Sequence, residues 1–205
     1  MAVLLKFRNV SLFKNESFGL NKISLEIERG RKYRLIAENE EQLNTLAGLL
    51  EGRFKKQSGL IERADKLFIQ SDRLLLGDKV YSQTVKEFLF LRNDFFQFGG
   101  RRRSKFGFVQ TIKAKHLVDY PIYKLRDSDK IKFALLAMAF QERGIILISQ
   151  LNRLNLAPPL HQFLQRIIDE TCTTCCLISS LKTVSQKPAL NISDAIEINL
   201  ADKSA

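Results

Sequence analysis

The chain has 205 residues, 45% apolar content and a formal net charge of +11, enough for one well-filled core and basic enough to suit nucleic acid, an anionic membrane face or an acidic protein. No run of eighteen apolar residues occurs, which excludes a transmembrane helix on pattern, and the opening residues Met1 to Lys6 are too short and too soon charged for a signal peptide, so a cytosolic chain is expected. Its three cysteines, Cys172, Cys175 and Cys176, read as free thiols, because His116 and His161 stand at no zinc-ligand spacing.

Val3 to Val10 alternates loosely and Ile23 to Glu28 strictly, the pattern of an antiparallel layer ending at a Gly30 turn. Tyr33 opens an apolar run that reads as a buried strand; a polar loop follows, then a helix from about Glu41 to Leu50, closed by Gly52. Gln57 to Ile61 reads as a turn into a short strand, and Lys66 to Gln70 as a second apolar strand ending in an amide. Thr84 to Leu89 starts a helix with a stripe of Val85, Phe88, Leu89, Phe95 and Phe96, while Phe90, Leu91 and Phe98 fall off it. Those surplus side chains fit either a wider core face or a contact site. Gly99 and Gly100 lead into the densest basic run, Arg101, Arg102, Arg103 and Lys105, which a solvated loop also explains. Ile145 to Ile148 is an apolar strand, Pro158 and Pro159 start a helix to about Thr171, Cys175 to Ser180 is a further core strand, and Ala195 to Leu200 is a final alternating one.

The strand, loop and helix around residues 33–50 have the layout of a phosphate-binding P-loop, G-x-x-x-x-G-K-[ST]. The motif positions hold Ala37, Gln42, Leu43 and Asn44, with Thr45 after them. Both glycines and the lysine are replaced. Glu38, Glu40 and Glu41 flank Asn39 at the helix start, where the helix dipole would otherwise attract a phosphate. A carboxylate about 5 Å from a phosphate charge repels it by roughly 1 kcal/mol in water and by more in a drier cleft.

Along nearly its whole length the chain resembles the nucleotide-binding domain of ABC transporters. The framework matches are Asn9-Val10-Ser11, Leu20 to Gly30, Leu49 to Gly52, Ser58 to Ile61, Gln70 at the Q-loop glutamine, and Thr84 to Leu89. The resemblance implies an α/β fold with a P-loop NTPase-like core of mainly parallel strands and helices, an N-terminal antiparallel β layer, and one domain over residues 1–205 with a small helical subdomain at about 83–142. It also places degenerate motifs. Leu125, Arg126, Asp127, Ser128 and Asp129 lie on the signature LSGGQ, where Asp127 and Ser128 could equally be caps of a helix. Ser149 and Gln150 lie where Walker B ends in Asp-Glu, and an amide cannot accept the proton that the Glu would take. Ser180 falls at or near the switch histidine.

Loss of phosphate loop, metal ligand, base, signature and switch together implies a pseudo-ATPase without cofactor, kept for its surfaces as a structural or regulatory part of a membrane-associated transporter or multi-protein assembly. The partners implied are a membrane permease-like protein, a second copy or an ABC ATPase, with the chain peripheral at the inner face of the membrane. In a family-like arrangement Phe90, Leu91, Phe98 and the run Arg101 to Lys105 would face a partner or anionic lipid. Two other readings stay open. One is a basic nucleic-acid-binding module on the same fold, the weaker for want of a stacking platform in any known motif. The other is a divergent ATPase in which Arg31, Lys32 or Arg34 replaces the lost lysine and Phe13 stacks on the base.

Overall fold

The computed structural model describes residues 2–15, 18–65, 67–77, 81–91, 110, 112–139, 144–151, 154–170, 174–180 and 194–200. The chain divides into two compact units: residues 1–71, 143–152 and 172–205 form the first, and 72–142 with 153–171 the second.

The first unit opens with β1, Val3–Asn15, and β2, Phe18–Glu28, paired antiparallel, and β4, Ser58–Arg63, lies on the other side of β1. Alternation assigns the faces. Leu5, Phe7, Ile23, Leu25 and Ile27 are buried, while the other side is cross-linked by charge, Lys6 to Glu26 and Arg8 to Glu62 at 3.3 Å. Both strands outrun the sequence-based expectation. The amide of Gln57 holds the Phe13 backbone in both directions, accepting from its N–H at 3.1 Å and donating to its carbonyl at 3.0 Å, which carries β1 past Val10. A register shift between Phe7 and Val10 coincides with a left-handed Asn9 (φ 49°). Opposite it Gly59 (φ 83°) passes so close that a Cβ would lie 2.3 Å from the Asn9 carbonyl oxygen, so only glycine fits there.

The second sheet is parallel, in the order β5-β6-β7-β3-β8, with β3 Lys32–Ala37, β5 Ile69–Ser71, β6 Ile145–Ile148, β7 Thr174–Ser180 and β8 Ile196–Asn199. All four residues of β6 are buried, as a strand covered on both faces requires. The strand expected from Lys66 begins only at Ile69, because the Leu67 N–H donates to the Ala64 carbonyl at 3.2 Å and holds a turn there. Helix α1, Glu40–Leu50, sets Leu43, Leu46, Ala47, Leu49 and Leu50 into one core with β1, β2 and β3, and Gly52 (φ 75°) closes it.

The second unit is helical: α2 Asp72–Leu76, α3 Val85–Leu91, α4 Asp127–Ala139 and α5 Pro158–Glu170, with single 3-10 turns at Lys115–Leu117 and Ile122–Lys124. Phe88 of the expected stripe packs edge-on against Phe133 with centroids 5.0 Å apart, and Tyr81 against Phe88 at 5.4 Å. Phe95 and Phe96 lie outside the described residues. Among the described residues no helix is long and apolar enough to cross a membrane.

α3 starts on a capping box. Thr84 Oγ1 accepts from the Glu87 N–H at 3.2 Å, and the Glu87 carboxylate accepts from the Thr84 N–H at 2.8 Å and from its hydroxyl at 2.9 Å. The Thr84 backbone bond, then the hydroxyl bond, holds the Glu87 carboxyl below its ordinary 4.5. A carboxyl depressed in the folded state adds stability above its unfolded value and loses it as pH falls through the folded one. Thr84→Ala keeps the backbone bond and removes the two hydroxyl bonds, so it lowers the melting temperature at pH 7, and in acid titrations of melting temperature the gap between variant and parent narrows below about pH 4.5.

Candidate functional site

Because the five strands of the second sheet run parallel, their carboxyl ends share one edge, and ligands of open α/β sheets bind outside such an edge. Ala37 ends β3 directly opposite Ser180, the last residue of β7. Gln70 and Ser71 end β5, and Ser149 and Gln150 follow Ile148 at the end of β6. The fold thus gathers Ala37, Glu38, Gln70, Ser149, Gln150 and Ser180 at one edge. The signature positions belong to the helical unit.

The loop after β3 is short. Of the four residues between the two motif glycines, Glu40 and Glu41 are already helical, which leaves only Glu38 and Asn39 outside strand and helix. No residue from Ala37 to Thr45 has positive φ, so the backbone lacks the alternating conformation that turns successive N–H groups into an anion nest. The N–H groups of Glu38, Gln42 and Leu43 are instead used internally. Asn39, extended at φ −145°, caps α1 by accepting from the Gln42 N–H at 2.8 Å, and its carbonyl receives the Leu43 N–H at 3.4 Å.

Gln42 reaches both ways. Its Oε1 accepts from the Glu38 N–H at 3.0 Å, and its Nε2 donates to the buried carbonyl of Leu200 at 2.9 Å. The Leu200 N–H in turn donates to the Ile36 carbonyl at 2.7 Å. One amide therefore fastens the loop to the chain just beyond β8. Leu43, at the lysine position, is 2% exposed and part of the core. Asn44 is partly buried and Thr45 fully so. Glu38 and Glu40 are exposed, and Glu41 partly so, which places three carboxylates at the mouth of the loop.

Along the rest of the edge the groups are neutral. Gln70 is 4% exposed and its Nε2 has no hydrogen-bond partner among the described residues; the same holds for Ser71 Oγ and Thr45 Oγ1. Ser149 is partly buried and Gln150 exposed. Serine and glutamine offer neutral oxygens and amide protons, a poor set for a hard divalent cation or for deprotonating water. Among the described residues no three His, Cys, Asp or Glu side chains cluster as metal ligands.

At the signature positions Leu125 is buried, Arg126, Asp127 and Ser128 are exposed, and Asp129 is partly buried. Asp127 and Ser128 are already the first residues of α4, and the Arg126 carbonyl takes the N–H groups of Asp129 at 2.9 Å and Lys130 at 2.8 Å. Both carboxylates are matched by lysines of their own helix, Asp127 with Lys130 at 3.7 Å and Asp129 with Lys132 at 3.3 Å.

The cations weighed as replacements for the lysine lie at the far end of β3. Arg34, three residues and about 10 Å of strand from Ala37, donates to Glu197 on β8 at 2.8 Å, and Arg31 lies 3.7 Å from Glu28. Lys32 is the first residue of β3. Phe13 is 45% exposed. Phe90 and Leu91 are the last two residues of α3, and Phe98, Arg101, Arg102, Arg103 and Lys105 lie outside the described residues. The bridging role of Gln42 was missed on the sequence; an amide three residues after an Asn cap was its only local sign.

No family model matches the chain. It is 28% identical over 149 residues to the zinc import ATP-binding protein ZnuC of Photorhabdus laumondii, an alignment covering 72% of this chain and 56% of that protein. The chain thus spans little more than half the length of this relative. Among solved structures it is similar to a Pyrococcus furiosus protein described as an ABC transporter ATP-binding protein, with a TM-score of 0.63, 16% identity and 96% of each chain covered. RNase-L Inhibitor gives 0.67 at 18% identity, covering 86% of this chain and 34% of that one. The cbiO1 protein of Clostridium perfringens, part of the ABC transporter complex cbiONQ, gives 0.59 at 16%, covering 88% and 79%.

Proposed function

We propose that this chain, a member of the ABC transporter nucleotide-binding domain family, works without nucleotide turnover, as a structural or regulatory subunit of a membrane-associated transporter or multi-protein assembly. The observation that carries the reading is Gln42. With the cap at Asn39 it engages the Glu38 and Gln42 N–H groups of the loop and ties the loop to Leu200. Leu43 in the core, the carboxylates at the loop mouth, and Ser149 and Gln150 at the end of β6 all support it.

The whole chain acts as one domain in this reading, with 83–142 as its helical subdomain, cytoplasmic and peripheral at the inner membrane face. Its partners are a permease-like membrane protein and a second ATPase-fold subunit. The names of the relatives, a zinc import ATP-binding protein and a component of a transporter complex, support that setting. Phe90, Leu91, Phe98 and Arg101 to Lys105 are the residues for the membrane-side contact.

A melting curve followed through an ATP and Mg²⁺ titration tests the first half. Ligand at a hundred times its Kd adds about 2.7 kcal/mol, roughly 5–10 °C for a chain of this length; the proposal expects a flat melting temperature to millimolar ATP, and a magnesium-dependent rise refutes it. Gentle solubilisation of membranes tests the second half: the chain is expected in complex with an integral protein, and its recovery alone refutes the assembly role.

A further inference from the structure

Residues 113–126 of the helical unit form a surface that the transporter reading does not use. Leu117, Ile122 and Leu125 are buried, whereas Tyr120 and Tyr123 are 50% and 53% exposed and Lys113, Lys115, Lys124 and Arg126 are exposed beside them. The backbone carrying the tyrosines is pinned to the start of α3: the Tyr120 carbonyl accepts from the Val85 N–H at 3.0 Å, that of Val118 from Lys86 at 2.8 Å, and the Ile122 N–H donates to Gln83 at 3.0 Å. The rings are thus displayed on a fixed frame, so that binding orders few further groups.

Among the described residues the charge of this surface is uncompensated. Lys130 and Lys132 are matched within α4 by Asp127 and Asp129, and His116 also lies 3.6 Å from Asp129. The four cations of 113–126 make no ion pair with a carboxylate of the described residues, and Asp119 is the single acid of the segment. The Lys124 ammonium lies 5.6 Å from the centre of the Tyr123 ring, so cation and π-face are presented together.

We propose that this surface binds single-stranded nucleic acid, with bases stacking on Tyr120 and Tyr123 and phosphates met by Lys113, Lys115, Lys124 and Arg126. Aromatic faces amid unpaired cations are how sequence-tolerant single-strand binders work. A membrane surface fits less well, since insertion needs an exposed apolar face and the aliphatic residues here point inward. The proposal does not depend on the transporter reading.

Fluorescence anisotropy of the full chain with a labelled oligouridylate of about 20 nucleotides tests it. Four neutralised phosphates at about 0.7 per contact predict a roughly fifty-fold loss of affinity between about 50 and 200 mM salt. The pair Tyr120→Ala and Tyr123→Ala loses roughly tenfold or more, Tyr→Phe at both positions retains binding, and Lys124→Gln with Arg126→Gln flattens the salt slope by about 1.4. The charge variant keeps the test open should the alanine pair fail to fold. The proposal is overturned by no binding at the lower salt, by a folded alanine pair that binds like the parent, by loss only when Arg101 to Lys105 are replaced, or by binding to phosphatidylserine vesicles alone.

Discussion

Leu43→Lys, which restores the lysine of the phosphate loop, will destabilise the protein by about 3–5 kcal/mol and will not create an ATP response. Leu43 is 2% exposed and packed among Leu46, Ala47 and the strands of the antiparallel layer. An ammonium there must be desolvated or forced outward, and the leucine contacts are lost besides. For a chain of this length the loss corresponds to a fall of roughly 6–20 °C in melting temperature. Leu43→Met, which keeps volume and polarity, costs under about 1.5 kcal/mol and serves as the control. A Leu43→Lys protein that melts near the parent and is stabilised by ATP and Mg²⁺ would show a phosphate loop that a single residue reopens, and would overturn the reading that Gln42 and Asn39 close it.

The second large effect is expected at Gln42. Gln42→Met keeps the length of the side chain and removes both polar ends, leaving Glu38 N–H near solvent and the Leu200 carbonyl buried without its donor. The first loss is cheap because water replaces it; the second carries the desolvation penalty, so the sum is about 2–3 kcal/mol. Hydrogen exchange should localise it, with faster exchange of the β8 amides and little change in the helical unit. Gln42→Glu separates the two ends. A protonated carboxyl can both accept and donate, whereas the ionised form faces the Leu200 carbonyl with two acceptors and buries a charge. That variant therefore lies closer to the parent at pH 4 than at pH 8. Equal losses at both pH values would mean that the bond to Leu200 contributes little.

Periodicity made the elements legible. The alternation of Ile23 to Glu28, the run Ile145 to Ile148 and the prolines before α5 all stand in strands and helices where expected, and the framework positions led to the ABC ATPase fold that the solved structures share. The replaced motif residues were legible as residue types. Their new employment was not. Nothing near Gln42 in sequence signals an acceptor 158 positions away, and nothing in the run Gln42-Leu43-Asn44 says which of the three turns into the core. Long-range pairings are set by the register of parallel strands joined through crossovers, which local patterns do not encode. The exposed tyrosines were invisible for a similar reason: a Tyr three residues from another reads as core or surface alike until the Ile122 turn fixes which residues face inward.

The placement of β3 between β7 and β8 bears on how the chain is made. Its two neighbours in the sheet come from residues 174–199, so the strand leaves the ribosome long before either flank exists. At about 5–20 residues per second the gap of 158 positions between Gln42 and Leu200 corresponds to roughly 8–30 s. For most of that interval, until β7 is made, both edges of an apolar strand stand open to pairing with a neighbouring nascent chain. Yield from a cell should therefore respond more to translation rate and to chaperones that shield strand edges than the stability of the finished fold would suggest.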